Sequence, residues 1–247
     1  MIRSGSGLLA LTAALWRSVP AGKRIWRLME QAARAAVLAW ALGGQIRTDP
    51  LPYPVFLLCG LAQWYYFREI LQESLERSME YSRLLCAWGA DPALFSLAQA
   101  IASFPTLLFW TAASSLTALA FGIPIRNGLI LLILLPCSLF NAVMQGLLAA
   151  AFVPLFGQKA GDGLGVTLPV LFWTTPVAWP FSQMASETAR FLMRLNPLYC
   201  LTEGMRIWLT GSIPSFNSAA LFFAAAGVAG LIGLYCMRRV WRALPAV

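Results

Sequence analysis

Glu203 and Arg206 stand three residues apart in a stretch, 198–210, that holds no other charge. On a helix that spacing puts both side chains on one face, where they can pair. Asn196-Pro197 precedes them and Gly211 follows. Asn can cap free N–H groups, Pro suits the first helical position, and Gly suits the stop. A second charged set reads Glu73, Glu76, Arg77, Glu80 and Arg83, with Leu75, Met79, Leu84 and Leu85 between. Glu73 and Arg77 attract at i,i+4, whereas Glu76 and Glu80 repel. Such a piece could dock in the groove of a cytosolic partner, or it is a solvated loop; the charges alone allow both.

What is missing narrows the chemistry as much. There is no His, which removes His-based triads, His zinc sites and His proton relays. The five cysteines, Cys59, Cys86, Cys137, Cys200 and Cys236, are odd in number and form no CxxC. They read as small core residues rather than disulfides or metal ligands. No GxxxxGK[ST] occurs; Gly161-Asp162-Gly163-Leu164-Gly165 lacks the Lys and a preceding strand and is expected to be a turn. No carboxylate pair or nucleophile–base set stands out, so no catalytic residue, metal site or cofactor is expected in this chain. A membrane-embedded enzyme or scaffold stays open, with Asp49, Glu187 and Glu203 as its only outward-facing acids.

The elements that must position these residues are helices in a membrane. The 247 residues are 59% hydrophobic and 11% charged, against about 25% charged in soluble domains. The fold class is all-α and polytopic. Residues 1–27 read as a cytoplasmic amphipathic arm, with a helix over 8–29 interrupted at Pro20. Arg17, Lys23, Arg24 and Arg27 would face headgroups, and Leu15, Trp16, Ile25, Trp26 and Leu28 would face lipid. Residues 28–247 form one membrane domain with six expected spans, 28–46, 53–72, 94–121, 128–153, 164–181 and 218–237. Glu30 and Arg34 can pair inside the first, and Pro105 and Pro136 predict tilt or kinks in the third and fourth.

Charge orients the spans. With both termini in the cytoplasm, eleven of the eighteen Lys and Arg lie inside and five outside. The net charge of +8 therefore reads as membrane topology rather than a nucleic-acid footprint. Between the fifth and sixth spans the helical patterns 185–195 and 197–210 are too short to cross, since a span needs about 20 residues. They suggest an external helical hairpin at 185–210. It dips into the outer leaflet as a pathway lid, or it lies on the surface. Trp64, Tyr65, Phe67, Trp110, Trp173, Trp179 and Tyr199 read as interfacial belts or as sugar-contacting conduit walls. No internal repeat is evident. Arg34, Arg68 and Glu69 are thin material for the proton relay of a secondary transporter.

The stretch Tyr53-Pro54-Val55-Phe56-Leu57-Leu58-Cys59-Gly60-Leu61, then Trp64 and Phe67, resembles the second span of polysaccharide-exporting ABC transporter permeases. These are the capsule, O-antigen and teichoic-acid exporters of the type-2 ABC class. Phe172-Trp173-Thr174-Thr175-Pro176-Val177, Asn196-Pro197-Leu198 and Glu203-Gly204-Met205-Arg206 resemble their C-terminal signature, in the same order. The likeness covers about residues 15–240. It implies a permease homodimer around a conduit, with two copies of a separate ABC ATPase that bind ATP and Mg. It implies an ATPase-coupling loop at 78–92, with Glu80, Arg83, Trp88, Asp91 and Pro92, and an external gate of Asn196, Pro197, Glu203 and Arg206. The implied substrate is a lipid-linked polysaccharide or glycolipid crossing the inner membrane. Two segments depart from the pattern. Ser18 to Trp26 keeps only its basic and Trp elements, and Ala87-Trp88-Gly89-Ala90-Asp91-Pro92 is less basic than usual. A type-2 exporter of a drug or lipid is the related alternative, although those usually carry a larger external domain.

Overall fold

The structure is a computed structural model. It describes residues 4–48, 50–87, 91, 93–126, 128–156, 159–183, 186–211 and 216–243. Every regular element among them is helical. The order is α1 (Ser4–Ser18), α2 (Ala21–Leu42), α3 (Tyr53–Ala87), α4 (Ala93–Ala120), α5 (Leu129–Phe156), α6 (Lys159–Thr174), a short 3-10 turn (Phe181–Gln183), α7 (Glu187–Arg194), α8 (Pro197–Thr210) and α9 (Phe216–Ala243).

Among the described residues three helices are long and apolar enough to cross a membrane: α4, α5 over Leu129–Phe152, and α9 over Ala220–Arg239. Their apolar side chains face outward in number, as Leu116, Leu132 and Leu231 do. That suits a lipid solvent, which does not drive apolar groups inward. Pro105 and Pro136 both sit inside continuous helices.

The other three expected spans take different forms. α3 is one helix of 35 residues, about 52 Å long at 1.5 Å per residue. It is the central post, touching α2, α4, α5, α6 and α8. Leu61 to Phe67 are all buried on it, Gln63 included, so this part of the helix is enclosed on every side. α2 runs unbroken through residue 27, where the arm is expected to give way to the first span, and ends at Leu42. It is amphipathic because Lys23, Arg27, Glu30 and Arg34 recur at helical spacing along one face. Only Gln31 and Ala35 are buried, while Trp26 and Trp40 lie open. The fifth expected span, α6, stops at Thr174, seven residues before the expected end at Phe181. Pro176 has no N–H to continue it and disfavours helical geometry at Thr175. Residues 161–165, expected as a turn, are the opening turns of α6.

The arm breaks at Pro20 as expected, but it is not wholly surrendered to the membrane. Leu11 and Leu15 pack on Phe95 and Ala98 of α4, so Leu15 faces protein rather than lipid. Arg24 turns back on α1 instead of outward. It donates to the Val19 carbonyl at 2.8 Å and the Trp16 carbonyl at 2.8 Å, and its guanidinium lies 3.7 Å from the Trp16 ring. These carbonyls close a helix end and lack intrahelical donors. α5 and α9 approach closely at Gly233, where a Cβ would stand 2.5 Å from the Leu148 nitrogen. Small residues of this kind let membrane helices bring their backbones together.

Candidate functional site

The hairpin expected at 185–210 is present as α7 and α8. Ser186 caps α7 by accepting from the Ala189 N–H at 3.4 Å. Asn196 caps α8: its Oδ1 accepts from the Leu198 N–H at 3.0 Å, with Pro197 at the first helical position. Gly211 ends α8 at φ 80°, in the left-handed region open to glycine, and returns its N–H to Ile207 at 2.8 Å.

α8 is the buried half of the hairpin, and it serves the broken end of α6. Residues 175–178 are non-helical and buried, with Thr175 and Val177 fully enclosed. Backbone of this kind must find partners for its carbonyls. Arg206 supplies them. Its Nη2 donates to the Pro176 carbonyl at 2.7 Å and to the Val177 carbonyl at 3.0 Å, and its Nε reaches the Phe56 carbonyl at 3.5 Å. The guanidinium stacks 3.4 Å from the Phe56 ring and pairs with Glu203 at 2.5 Å. Burial pulls the Arg206 guanidinium below its ordinary value, and Glu203 pushes it back up. Tyr53 donates its hydroxyl to the Ala178 carbonyl at 2.9 Å, and Asn196 Nδ2 donates to Thr175 Oγ1 at 2.9 Å. At Gly60 a Cβ would stand 2.6 Å from the Val177 carbonyl oxygen, so only glycine admits the broken segment against α3.

Asn196, Glu203 and Arg206 therefore meet around one segment, with Pro197 setting the start of their helix. Sequence spacing found the Glu203–Arg206 pair and the cap. It did not find Tyr53, Phe56, Gly60 or Thr175; Phe56 lies 150 residues from Arg206. Pro176 was the one local signal that a break needed a clamp.

The aromatic set divides in two. Trp64, Tyr65, Phe67 and Trp110 are buried inside this chain, as neither an interfacial belt nor a wall open to solvent. Tyr65 and Trp110 pack at 5.0 Å and both donate to Gln31, to its backbone carbonyl at 3.0 Å and its side-chain oxygen at 2.9 Å. Trp64 sets its ring against Phe172 at 5.2 Å. Trp173, Trp179 and Tyr199 group beside the break instead. Trp173 is 54% exposed, Trp179 donates to its carbonyl at 3.1 Å, and Tyr199 packs on Phe181 at 4.8 Å.

At the other end, α3 continues to Ala87 as the charge pattern suggested. The side chains of Glu80 and Arg83, and all of Trp88 and Pro92, lie outside the described residues. Asp91 starts α4 by accepting from the Ala93 N–H at 2.9 Å, and it pairs with Arg238 of α9 at 2.6 Å. Glu73 is buried and takes Arg77 at 2.6 Å and Arg27 at 3.1 Å. Arg27 also meets Glu69 at 3.2 Å, so it faces α3 and not headgroups. Arg77 bonds Ser18, which draws the end of α1 onto α3. The opening of the charged stretch is thus held by the arm.

Over residues 13–210 the chain matches the ABC-2 type transporter family. It belongs to that family. No curated protein matches it. As an ABC-2 permease subunit it is a membrane protein whose role is transport, and membership implies an ABC ATPase partner. The α7–α8 hairpin and the broken end of α6 are thus features of the transporter's membrane domain.

Proposed function

We propose that this ABC-2 subunit exports a lipid-linked polysaccharide across the inner membrane, as a homodimer with two copies of an ABC ATPase. In this reading the chain crosses six times with both termini inside, and α7–α8 lies at the outer leaflet as the exit gate. α2, the enclosed α3 and the short α6 complete the spans inside the assembly. ATP and Mg are held by the partner ATPase, which contacts the loop at 78–92.

One observation carries the reading. A buried, non-helical segment at 175–178 is clamped by Arg206 of a helix too short to span, and Trp173, Trp179 and Tyr199 gather beside it. Broken backbone at membrane depth survives where protein or a water-filled cavity covers it, and there it marks a pathway. Aromatic rings offer flat faces on which the apolar faces of sugars stack. The short hairpin also favours a glycan over a drug or lipid exporter.

The test is ATP-driven transport in vesicles holding the permease and its ATPase, with W173A and Y199A variants. Glycan transport should fall about tenfold while assembly with the ATPase persists. Transport of a glycan at the unaltered rate in both variants would remove the aromatic set from the pathway. No glycan transport by the unaltered complex would reject the substrate class.

A further inference from the structure

A polar cleft of about 200 Å³ lies between α2 and α3, lined in part by Glu30, Gln31, Arg34, Tyr65, Arg68 and Gln72. Its charges are unevenly matched. Toward the end of the expected span its Arg27 meets Glu69 and Glu73, Arg77 reaches Glu73 from outside the cleft, and Glu76 adds a further carboxylate to the lining. Deeper in, two guanidiniums share one carboxylate. Arg34 pairs with Glu30, and Arg68 has Arg34 and Glu30 as electrostatic neighbours. Arg68 makes neither a hydrogen bond nor an ion pair with any described residue. The Arg34–Arg68 end therefore carries one surplus positive charge, although the whole lining sets three Arg against four Glu.

Arg68 sits four residues inside the end of the expected span 53–72, about 6 Å of helix rise. An arginine at this depth draws an anion or water to itself, or reaches toward the headgroups. α2, which forms the other wall, turns Ile25, Trp26 and Met29 outward, exposed by 59%, 70% and 60%. A charged face and an open apolar face on one helix suit the plane where acyl chains meet headgroups. At about 200 Å³ the cleft is well beyond the size of a single water site, and a phosphodiester with its glycerol stub is of that scale.

We propose that Arg34 and Arg68 bind the phosphodiester of a bilayer phospholipid, with the acyl chains lying along the apolar face of α2. The single negative charge matches the surplus, and two guanidinium forks suit a tetrahedral oxyanion. The site rests on the membrane reading alone, and stands or falls separately from the glycan. A lipid held here would tie the arm helix to the central post.

The test is calorimetric titration of the lipid-stripped, detergent-purified full chain with dihexanoyl phosphatidylglycerol. Parallel titrations use phosphate-free dihexanoylglycerol and inorganic phosphate. The phosphatidylglycerol should bind, and R34Q and R68Q should each weaken it about tenfold or more, the worth of a charge-assisted hydrogen bond. Arg34 is half exposed on α2, so R34Q decides the matter even where R68Q fails to fold. Equal binding of dihexanoylglycerol would overturn the phosphate site. Equal binding of inorganic phosphate would assign the cleft to a soluble anion and overturn the lipid. Unchanged affinity in R34Q would overturn the assignment of residues.

Discussion

Arg206 carries two obligations with one side chain. It neutralises against Glu203, and it satisfies the carbonyls of Phe56, Pro176 and Val177. Removing it leaves buried acceptors without donors and Glu203 without its partner. The expected loss for Arg206→Ala is about 3 kcal/mol or more. Arg206→Lys should not restore the fold, because one ammonium cannot reproduce a planar fork aimed at several carbonyls. Glu203 is 29% exposed and water can serve Arg206 in part through it, so Glu203→Gln should cost less. Thermal unfolding of the three variants in detergent checks the order. A Glu203→Gln loss as large as that of Arg206→Ala would make the ion pair, and not the carbonyl clamp, the main interaction. The pairing of Glu203 with Arg206 was legible from a spacing of three. The clamp was not, because a carbonyl is present at every residue and nothing local says which ones will be orphaned.

At the scale of elements, the contact between α5 and α9 depends on what the glycines do not carry. A Cβ at Gly233 would meet the α5 backbone itself, 2.5 Å from the Leu148 nitrogen. At Gly230 it would meet the side chain of Met144, whose thioether end can move aside but whose Cβ, at 2.9 Å, is fixed to α5. Gly233→Ala should therefore destabilise by about 1–3 kcal/mol, and Gly230→Ala by less. Unfolding of both variants, measured side by side, tests this, and equal losses would show that the two helices can slide apart. The cap of α8, the break at Pro20 and the stop at Gly211 were legible because each is a local rule about donors and φ. The bounds of the spans carried by α2 and α6 were misjudged for the opposite reason. Their apolar counts reach the right range, but the charges on α2 find partners on α3, and Pro176 ends α6 early.

For the whole molecule, family membership leads to a partner and a topology that can be checked together. Purification of the chain from its native membrane should bring an ATPase carrying a Walker motif. In cells, a cysteine placed at Ser186 in a cysteine-free background should react with a membrane-impermeant maleimide from outside, and one placed at Lys23 should not. The eleven-to-five bias of Lys and Arg sets that expectation. Labelling of Lys23→Cys alone would invert the orientation. Absence of any ATPase from the purified assembly would count against the exporter.

What the sequence determined by itself is the class: an all-helical membrane protein with a series of long apolar runs, two short helices before the last of them and no Walker-type motif. Composition, capping and period are properties of neighbouring residues, and they survive without knowledge of the fold. Only the tertiary structure decided that Trp64, Tyr65, Phe67 and Trp110 are interior packing and that Arg27 faces α3. It also decided that Arg206, paired with Glu203, clamps the carbonyls of the segment that follows α6. Those outcomes turn on which groups are left without partners once the helices meet, and that depends on contacts across more than a hundred residues.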